Sequence, residues 1–463
     1  MEGGKSTSEA PLSEEEYTAS LHLAIKQTER FERELSRLKN SVTYRLGEHL
    51  TASIRRPWKL IFLPLTFPYH AFLLGLEKLG LRAPPPGLSQ DSGTGLKTEN
   101  CVLLFPTNGV GFGHFTRMYA VAKAIRKQSP DTEVIFFTPM PTLHVPYIDD
   151  FPTYHIAGKY KFKDMSSSQW NGLVEEQLLM ILDAHNPKMF MFDGAFPYRG
   201  MLNAVRRKPE MKKVWMRRGM FKKGSKIPVD SIQFFDTIIH PGDAIPAKKD
   251  EINHTTDVLH VPPILLLQSE EMLSKFDARG RLGLPQSSKV WYVQLGAGQI
   301  NDIQSEIRLT IEALLKIDPE YYVVVGESLL GNRISFSNER VRILRDYPNA
   351  IYFKGFDYAI QAGGYNSFHE MRTMAMPTIF YPNMNTGMDD QLARCKVAEE
   401  EGWGLVVEHR VKENIDAAVR DIVILQQDKS LDSMVHDSTE WIGELINDET
   451  NLANFEHRII QGS

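Results

Sequence analysis

The run CVLLFP, residues 101–106, passes through the glycine-rich loop TNGVGFGH into the helical pattern FTRMYAVAKAI. A short continuous apolar strand, a glycine turn and a helix, in that order, open a doubly wound α/β domain, and this constrains the chain more than any other feature. The alternation continues. Apolar runs at 133–138, 153–156, 188–192, 213–216 and 237–240 read as strands, and segments between them, such as 168–185, read as helices. That order implies a parallel sheet with ligands at the carboxyl ends of its strands, where Asp193, the Arg217-Arg218 pair and His240 fall. Gly109, Gly111 and Gly113 match a dinucleotide fingerprint only loosely. Thr138-Pro139 stand where an acidic residue would close the second strand, which argues against NAD.

Residues 260–267, stiffened by Pro262 and Pro263, read as a connection to a second α/β domain. That domain is expected to run through a helix at 272–279, a strand at 290–295, the loop GAGQIND and strands near 322–325 and 351–353. It reaches its most informative stretch at 362–407. A strand at 358–361 breaks at Gly363-Gly364, and a helix opens near Asn366-Ser367. Paired glycines let the backbone turn and approach a ligand, and the unpaired N–H groups of the helix start suit an anion such as a diphosphate. Glu370, three residues past Ser367, can reach a diol through a charge-assisted hydrogen bond of roughly 1.5–3 kcal/mol. Asp389, Asp390 and Gln391 cluster after the next strand, at 378–381.

Taken together, Gly363-Gly364, Asn366-Ser367, Glu370, an apolar strand, Pro382, Asp390-Gln391 and a turn at Gly402 resemble the donor-binding half of GT-B nucleotide-sugar glycosyltransferases. The order is most similar to the MurG-like group, the family 28 type, whose relatives act on cell-envelope polysaccharides. Five features in family order separate it from an ordinary loop and capping box. The resemblance implies that Gly296, Gly298 and Gln299 lie against the donor phosphates, that Glu370 meets the ribose, and that Asp390 and Gln391 meet the sugar, with Asp389 beside them in the donor site. In the first domain only Gly113-His114 matches, being similar to the acceptor-side Gly-x-Gly-His loop, and His114 inherits the candidacy for catalytic base. Asp193 would orient His114, touch the acceptor or cap a helix. Arg217 and Arg218, with Lys222 and Lys223 behind them, would hold an anionic acceptor such as a lipid-linked phosphate, or form a solvated basic turn. The expected fold class is α/β: two Rossmann-like domains, 100–262 for the acceptor and 263–440 for the donor, facing a cleft, with a final helix at 441–463.

The resemblance does not reach the first hundred residues. The seam Tyr17, Leu21, Ala24, Thr28, Phe31, Leu35 and Leu38 suits a coiled coil and a homo-oligomer, or a helix packed on its own chain. Beyond it, Arg37, Lys39, Arg45, Arg55, Arg56, Lys59, Lys78 and Arg82 face only Glu48 and Glu77 around the apolar run WKLIFLPLTFPYHAFLLGL. Pro64 and Pro68 interrupt that run, so segment 55–82 suits an anionic membrane interface better than a membrane span; the alternative is an arm docked on the enzyme or on a second subunit. The extension, 1–82, is joined to the catalytic body by a Pro-rich linker at 83–99. A net charge of -5 carries no nucleic-acid footprint, and the only cysteines, Cys101 and Cys395, suggest neither a disulfide framework nor a zinc site. With no secretory signal in the opening MEGGKSTSEAPLSEEEY, the expected location is cytoplasmic, on the inner face of the cell membrane.

The activity implied is transfer from a nucleotide-sugar, in the first instance a UDP-sugar, to a lipid-linked or nascent envelope glycan. Inversion is implied by the family. No Asp-x-Asp motif in a suitable strand context marks a metal site, so no cofactor is expected. Two rivals remain: a nucleotide-sugar 2-epimerase, which needs no acceptor, and a non-catalytic nucleotide-sugar-binding scaffold, which turns nothing over.

Overall fold

The computed structural model describes residues 41–79, 81, 100–107, 111–218, 229–245, 257–296, 303–328, 333–386, 389–425, 441, 442 and 445. The chain divides into two compact units, Met1–Leu96 and Lys97–Ser463. The expected coiled-coil seam and the Pro-rich linker lie outside the described residues.

In the first unit, Ser41 caps helix α1 (Val42–Arg55) by accepting from the Tyr44 amide at 3.2 Å. A 3₁₀ segment, Pro57–Phe62, opens on a proline that fits a first helical position and leads into α2 (Leu63–Lys78). The two helices fold back on each other. His49 Nε2 meets Thr66 Oγ1 at 3.2 Å, and the His49 and His70 rings stack at 4.8 Å.

The second unit begins with β1 (Cys101–Pro106), α3 (Gly113–Gln128), β2 (Glu133–Thr138), α4 (His144–Ile148), β3 (Thr153–His155), α5 (Ser167–His185), β4 (Met189–Asp193), α6 (Arg199–Arg206), β5 (Lys212–Met216), β6 (Thr237–Pro241) and β7 (Asp257–Val261). The strands form an all-parallel seven-stranded sheet in the order β3-β2-β1-β4-β5-β6-β7. Buried residues run the length of β1 and β4, as strands covered by helices on both faces require. The stretch expected to connect the domains is partly sheet instead. β7 pairs with β6 from Thr237↔Asp257 to Pro241↔Val261, and Pro262-Pro263 stop the strand rather than replace it.

A second parallel sheet follows, built from α7 (Lys275–Arg281), β8 (Val290–Gln294), α8 (Ile303–Ile317), β9 (Tyr322–Gly326), β10 (Val341–Leu344), β11 (Tyr358–Gln361), α9 (Tyr365–Thr373), β12 (Thr378–Phe380), α10 (Gln391–Glu400), β13 (Gly404–Val406) and α11 (Lys412–Ile424). Its order is β10-β9-β8-β11-β12-β13. The helix expected from residue 272 starts later, where Ser274 Oγ accepts from the Asp277 amide. Residues 351–353, expected as a strand, lie in the 3₁₀ helix Asn349–Gly355, because β10 occupies the place beside β9. One apolar cluster is shared by both sheets and takes in Leu104, Val214, Val290 and Phe380 together with the late residues Trp441, Ile442 and Leu445. Lys212 Nζ, on the first sheet, donates to the Leu445 carbonyl at 3.4 Å.

Candidate active site

In each sheet the strand order reverses once, between β1 and β4 and between β8 and β11, and at such a reversal the two following loops diverge and leave a crevice. A cleft of about 490 Å³ joins the crevices. Gly113, His114, Thr116, Arg117 and Arg218 line it from the first sheet; Gly296, Gly364, Asn366, Ser367 and Glu370 line it from the second.

The β1–β4 register sets Pro106 beside Asp193, and the Thr107 amide donates to the Asp193 carbonyl at 2.9 Å. Helix α3 then starts at Gly113, which puts His114 in its first turn and Arg117 directly above it. His114 Nδ1 lies 2.7 Å from Asp193 Oδ1. Arg117 grips the same carboxylate as a fork, NH2 to Oδ1 at 2.7 Å and Nε to Oδ2 at 3.0 Å. Its NH2 is also 3.0 Å from His114 Nδ1; the ionised Asp193 carboxylate, which can only accept, is served by the tautomer that carries the proton on Nδ1 and the lone pair on Nε2. Burial pushes the imidazole below its ordinary pKa, and Asp193 offsets this only in part. Burial acts on Asp193 in the opposite sense, but Arg117 and His114 outweigh it and hold the carboxylate ionised below its ordinary range. Of the readings open for Asp193, the helix cap is not the one adopted: α6 is capped at Tyr198, and the carboxylate faces His114.

Across the cleft, Gly363 adopts φ +71, a conformation that favours glycine, and a Cβ there would sit 2.3 Å from Cys395 Sγ. Gly364 is the N-cap of α9, so the helix opens one residue before Asn366. The first amide to find a helical partner is that of Phe368, bonded to the Gly364 carbonyl at 2.8 Å, which leaves the amides of Tyr365, Asn366 and Ser367 ahead of the ladder. Asn366 Nδ2 reaches the Gly113 carbonyl at 3.5 Å, while its Oδ1 is buried without a partner among the described residues. The Glu370 carboxylate, one turn further, makes no hydrogen bond with a described residue, and burial pushes its pKa up to about 8. Gly296, at φ +93, opens the opposite loop; Gly298 and Gln299 lie outside the described residues.

The cleft is bridged on one side by a charge network that sequence reasoning did not find. Arg394 of α10 grips Asp243 with Nε at 2.8 Å and NH2 at 2.7 Å, donates from NH2 to Asp389 at 2.7 Å, and reaches the Gly363 carbonyl at 3.1 Å. Arg218 adds a bond from the first sheet to Asp389 at 2.8 Å, and His369 Nε2 lies 3.3 Å from Asp243. Burial would raise the Asp389 carboxyl, but Arg218 and Arg394 bring it down to about 2. Asp389 and Arg218 thus line the cleft as partners of each other. Gln391 also lines it and accepts from the Asn383 amide at 2.9 Å. Two sequence expectations are corrected. Asp390 is absent from the cleft lining and caps α10, accepting from the Ala393 amide at 3.1 Å. Arg217, expected at an acceptor, is buried with its guanidinium over the Trp215 ring, because its position at the end of β5 turns it toward the core.

No protein-family model and no curated protein matches the sequence. Among solved structures, the glycotransferase of kitacinnamycin superposes with a TM-score of 0.53 at 12% identity, covering 75% of this chain and 98% of its own. A Listeria monocytogenes protein assigned as a UDP-N-acetylglucosamine 2-epimerase gives a TM-score of 0.50 at 12% identity, with coverages of 75% and 94%. The chain has the GT-B fold. Acinetobacter baumannii MurG aligns as well, at 14% identity and a TM-score of 0.49, covering 76% of this chain and all, 100%, of its own. Identities this low speak for the fold alone, so within this GT-B chain each role rests on geometry. Arg117 is the cleft residue most readily missed: an arginine three residues past a histidine reads as a solvated helix face. The available signal was its setting, between Phe115 and Met118 on a helix with no consistently polar side.

Proposed function

We propose that this chain transfers a glycosyl group from a nucleoside-diphosphate sugar to a hydroxyl acceptor, with inversion and without a metal. One observation carries the reading: His114 and Arg117, both bonded to the buried Asp193, and the start of α9, with Glu370, line the same cleft from opposite domains. His114 Nε2 takes the acceptor proton as the acceptor oxygen bonds to the anomeric carbon, and the bond from that carbon to the diphosphate breaks. Asp193 fixes the tautomer and stabilises the imidazolium formed. Arg117 neutralises Asp193, so the histidine stays neutral until it is used. The negative charge arriving on the leaving diphosphate meets the α9 amides and the loop at Gly296, and one such fixed donor contributes roughly 3–4 kcal/mol in the transition state. Glu370 accepts from the ribose hydroxyls.

Within this reading the nucleotide is UDP and the acceptor a lipid-linked or nascent envelope glycan on the cytoplasmic side, supported by the MurG-like order of sequence features around Glu370. The rival, 2-epimerisation, is supported by the likeness to the Listeria protein. A thermal-shift panel of nucleotide-sugars identifies the donor, since a ligand at about one hundred times its Kd stabilises by about 2.7 kcal/mol. Product analysis with donor alone and with acceptor then separates the two: an epimerised sugar without acceptor defeats the transferase. In the transferase, His114→Ala lowers kcat by about 10²–10⁴-fold and leaves donor Kd within about twofold. Retained turnover removes His114 as the base.

A further inference from the structure

The helical hairpin of the first unit is not used by any step above. Its second helix is apolar away from Thr66, His70 and its charged last turn, which in a helix of a soluble domain calls for burial of most of its surface. One side is met by α1 through His49, Thr66 and His70. The opposite side is open: Ile61 and Leu65 are 77% and 76% exposed, and Tyr69 and Phe72 follow at helical spacing at 64% and 63%. Of the apolar window Trp58–Leu76 only 6% is buried. At the elbow between the helices, Arg55, Arg56 and Lys59 form no ion pair with a described residue, and Trp58, the residue type favoured at membrane interfaces, stands among them with Lys59 5.5 Å from its ring.

From this juxtaposition we infer that the hairpin docks in the interface of a bilayer containing anionic phospholipid, with the Ile61–Leu65–Tyr69–Phe72 stripe in the acyl boundary and the Arg55–Lys59 elbow on the headgroups. Two other occupants fit less well. The window Trp58–Leu76 is long and apolar enough to cross a bilayer by length and composition alone, but Pro68 and the polar pair Thr66 and His70 interrupt its middle, so it lies in the bilayer surface rather than crossing it. A second copy paired isologously through this face would bring two identical cationic elbows into one small interface, with only Glu48 and Glu77 of each hairpin to set against them. A lipid surface supplies both an apolar phase and the opposite charge.

The test uses the full chain and extruded vesicles of phosphatidylcholine, with and without phosphatidylglycerol, read by co-sedimentation. Binding to the anionic vesicles that falls with salt is expected. Ile61→Glu, Leu65→Glu and Phe72→Glu combined, all at exposed positions, lower partitioning about tenfold or more, with circular dichroism and melting temperature unchanged. Arg55→Gln, Arg56→Gln and Lys59→Gln combined flatten the salt dependence. Equal partitioning of wild type and the glutamate variant, or no partitioning of either, overturns the inference. So does sedimentation velocity showing a dimer that the glutamate variant dissolves without any vesicle binding, which gives the face to a second copy. Retention of the wild type in membranes washed with alkaline carbonate overturns it in favour of a span.

Discussion

The two crevices of the GT-B body are built on the same plan and finished in opposite ways. At the β1–β4 reversal the polar groups are already saturated: Asp193 is held by Arg117 and His114, each within 3.0 Å, before any ligand arrives. At the β8–β11 reversal they are left open, with the α9 amides ahead of the ladder and Asn366 Oδ1 and the Glu370 carboxylate unpartnered among the described residues. A catalytic base must be aligned in advance, since misorientation is paid for at every turnover, whereas a recognition surface gains affinity from groups that only the ligand satisfies. The difference fits the proposed function, with chemistry on the first wall and binding on the second.

The sharpest way to break this comparison is to unmake the saturated wall. Arg117→Ala strands a buried carboxylate, and removing one partner of a buried pair costs about 3–5 kcal/mol, measured by urea unfolding. The sign with pH follows from Asp193, whose folded pKa lies below its unfolded one. Its contribution to stability is present above about pH 4 and is lost as pH falls through the folded value, so the wild type loses stability on acidification over a range where Arg117→Ala loses less. Adding Asp193→Ala to Arg117→Ala recovers a large part of the loss. A cost under about 1 kcal/mol in Arg117→Ala would mean that the fork does not hold the wall.

On the open wall the expected effects are smaller in stability and visible in proton uptake. Glu370, raised to about 8 from 4.5, keeps in the folded state a proton that the unfolded chain gives up, so stability falls as pH rises across that window. Glu370→Gln flattens the decline and raises Tm at alkaline pH. Ribose hydroxyls donate to the ionised form, so donor binding near neutral pH releases a proton, seen as buffer-dependent heats in calorimetry. Glu370→Gln abolishes that dependence and weakens the donor by about 1.5–3 kcal/mol. Identical heats in all buffers for the wild type would take Glu370 off the donor.

Much of this was legible in the sequence, and what was not has a common cause. Glycine-punctuated strands and helices declare the parallel sheets, and His114 and Glu370 sit beside the turns that such sheets use for ligands, so local pattern was enough to place them. Strand β7 was hidden by Pro262-Pro263, which draw the eye to a connection although they only end the pairing at Val261. Strand β10, VRIL, is a four-residue edge with half-buried centre, and an edge carries little hydrophobic period. Residues 349–355 bury Tyr352 and Phe353 in succession, which matches a buried strand as well as the 3₁₀ turn they form. The Asp243–Arg394–Asp389–Arg218 network joins residues up to 171 positions apart, and nothing local marks charges that meet only after folding.

The smallest effect separates neighbours that the sequence treats alike. Asp389 and Asp390 read as one acidic cluster at the donor site, yet Asp389 lines the cleft between two arginines while Asp390 caps α10. A cap replaced by alanine costs roughly 1 kcal/mol, and Asp390→Asn, which keeps an acceptor at the same place, costs a few tenths at most. Neither substitution touches the cleft, so donor Kd by calorimetry stays within about twofold for both. Asp389→Ala behaves differently, because it leaves Arg394 with one carboxylate and Arg218 with none among the described residues; it weakens donor binding and stability together. A donor affinity that drops as far in Asp390→Ala as in Asp389→Ala would return Asp390 to the sugar and show that α10 shifts when the donor binds.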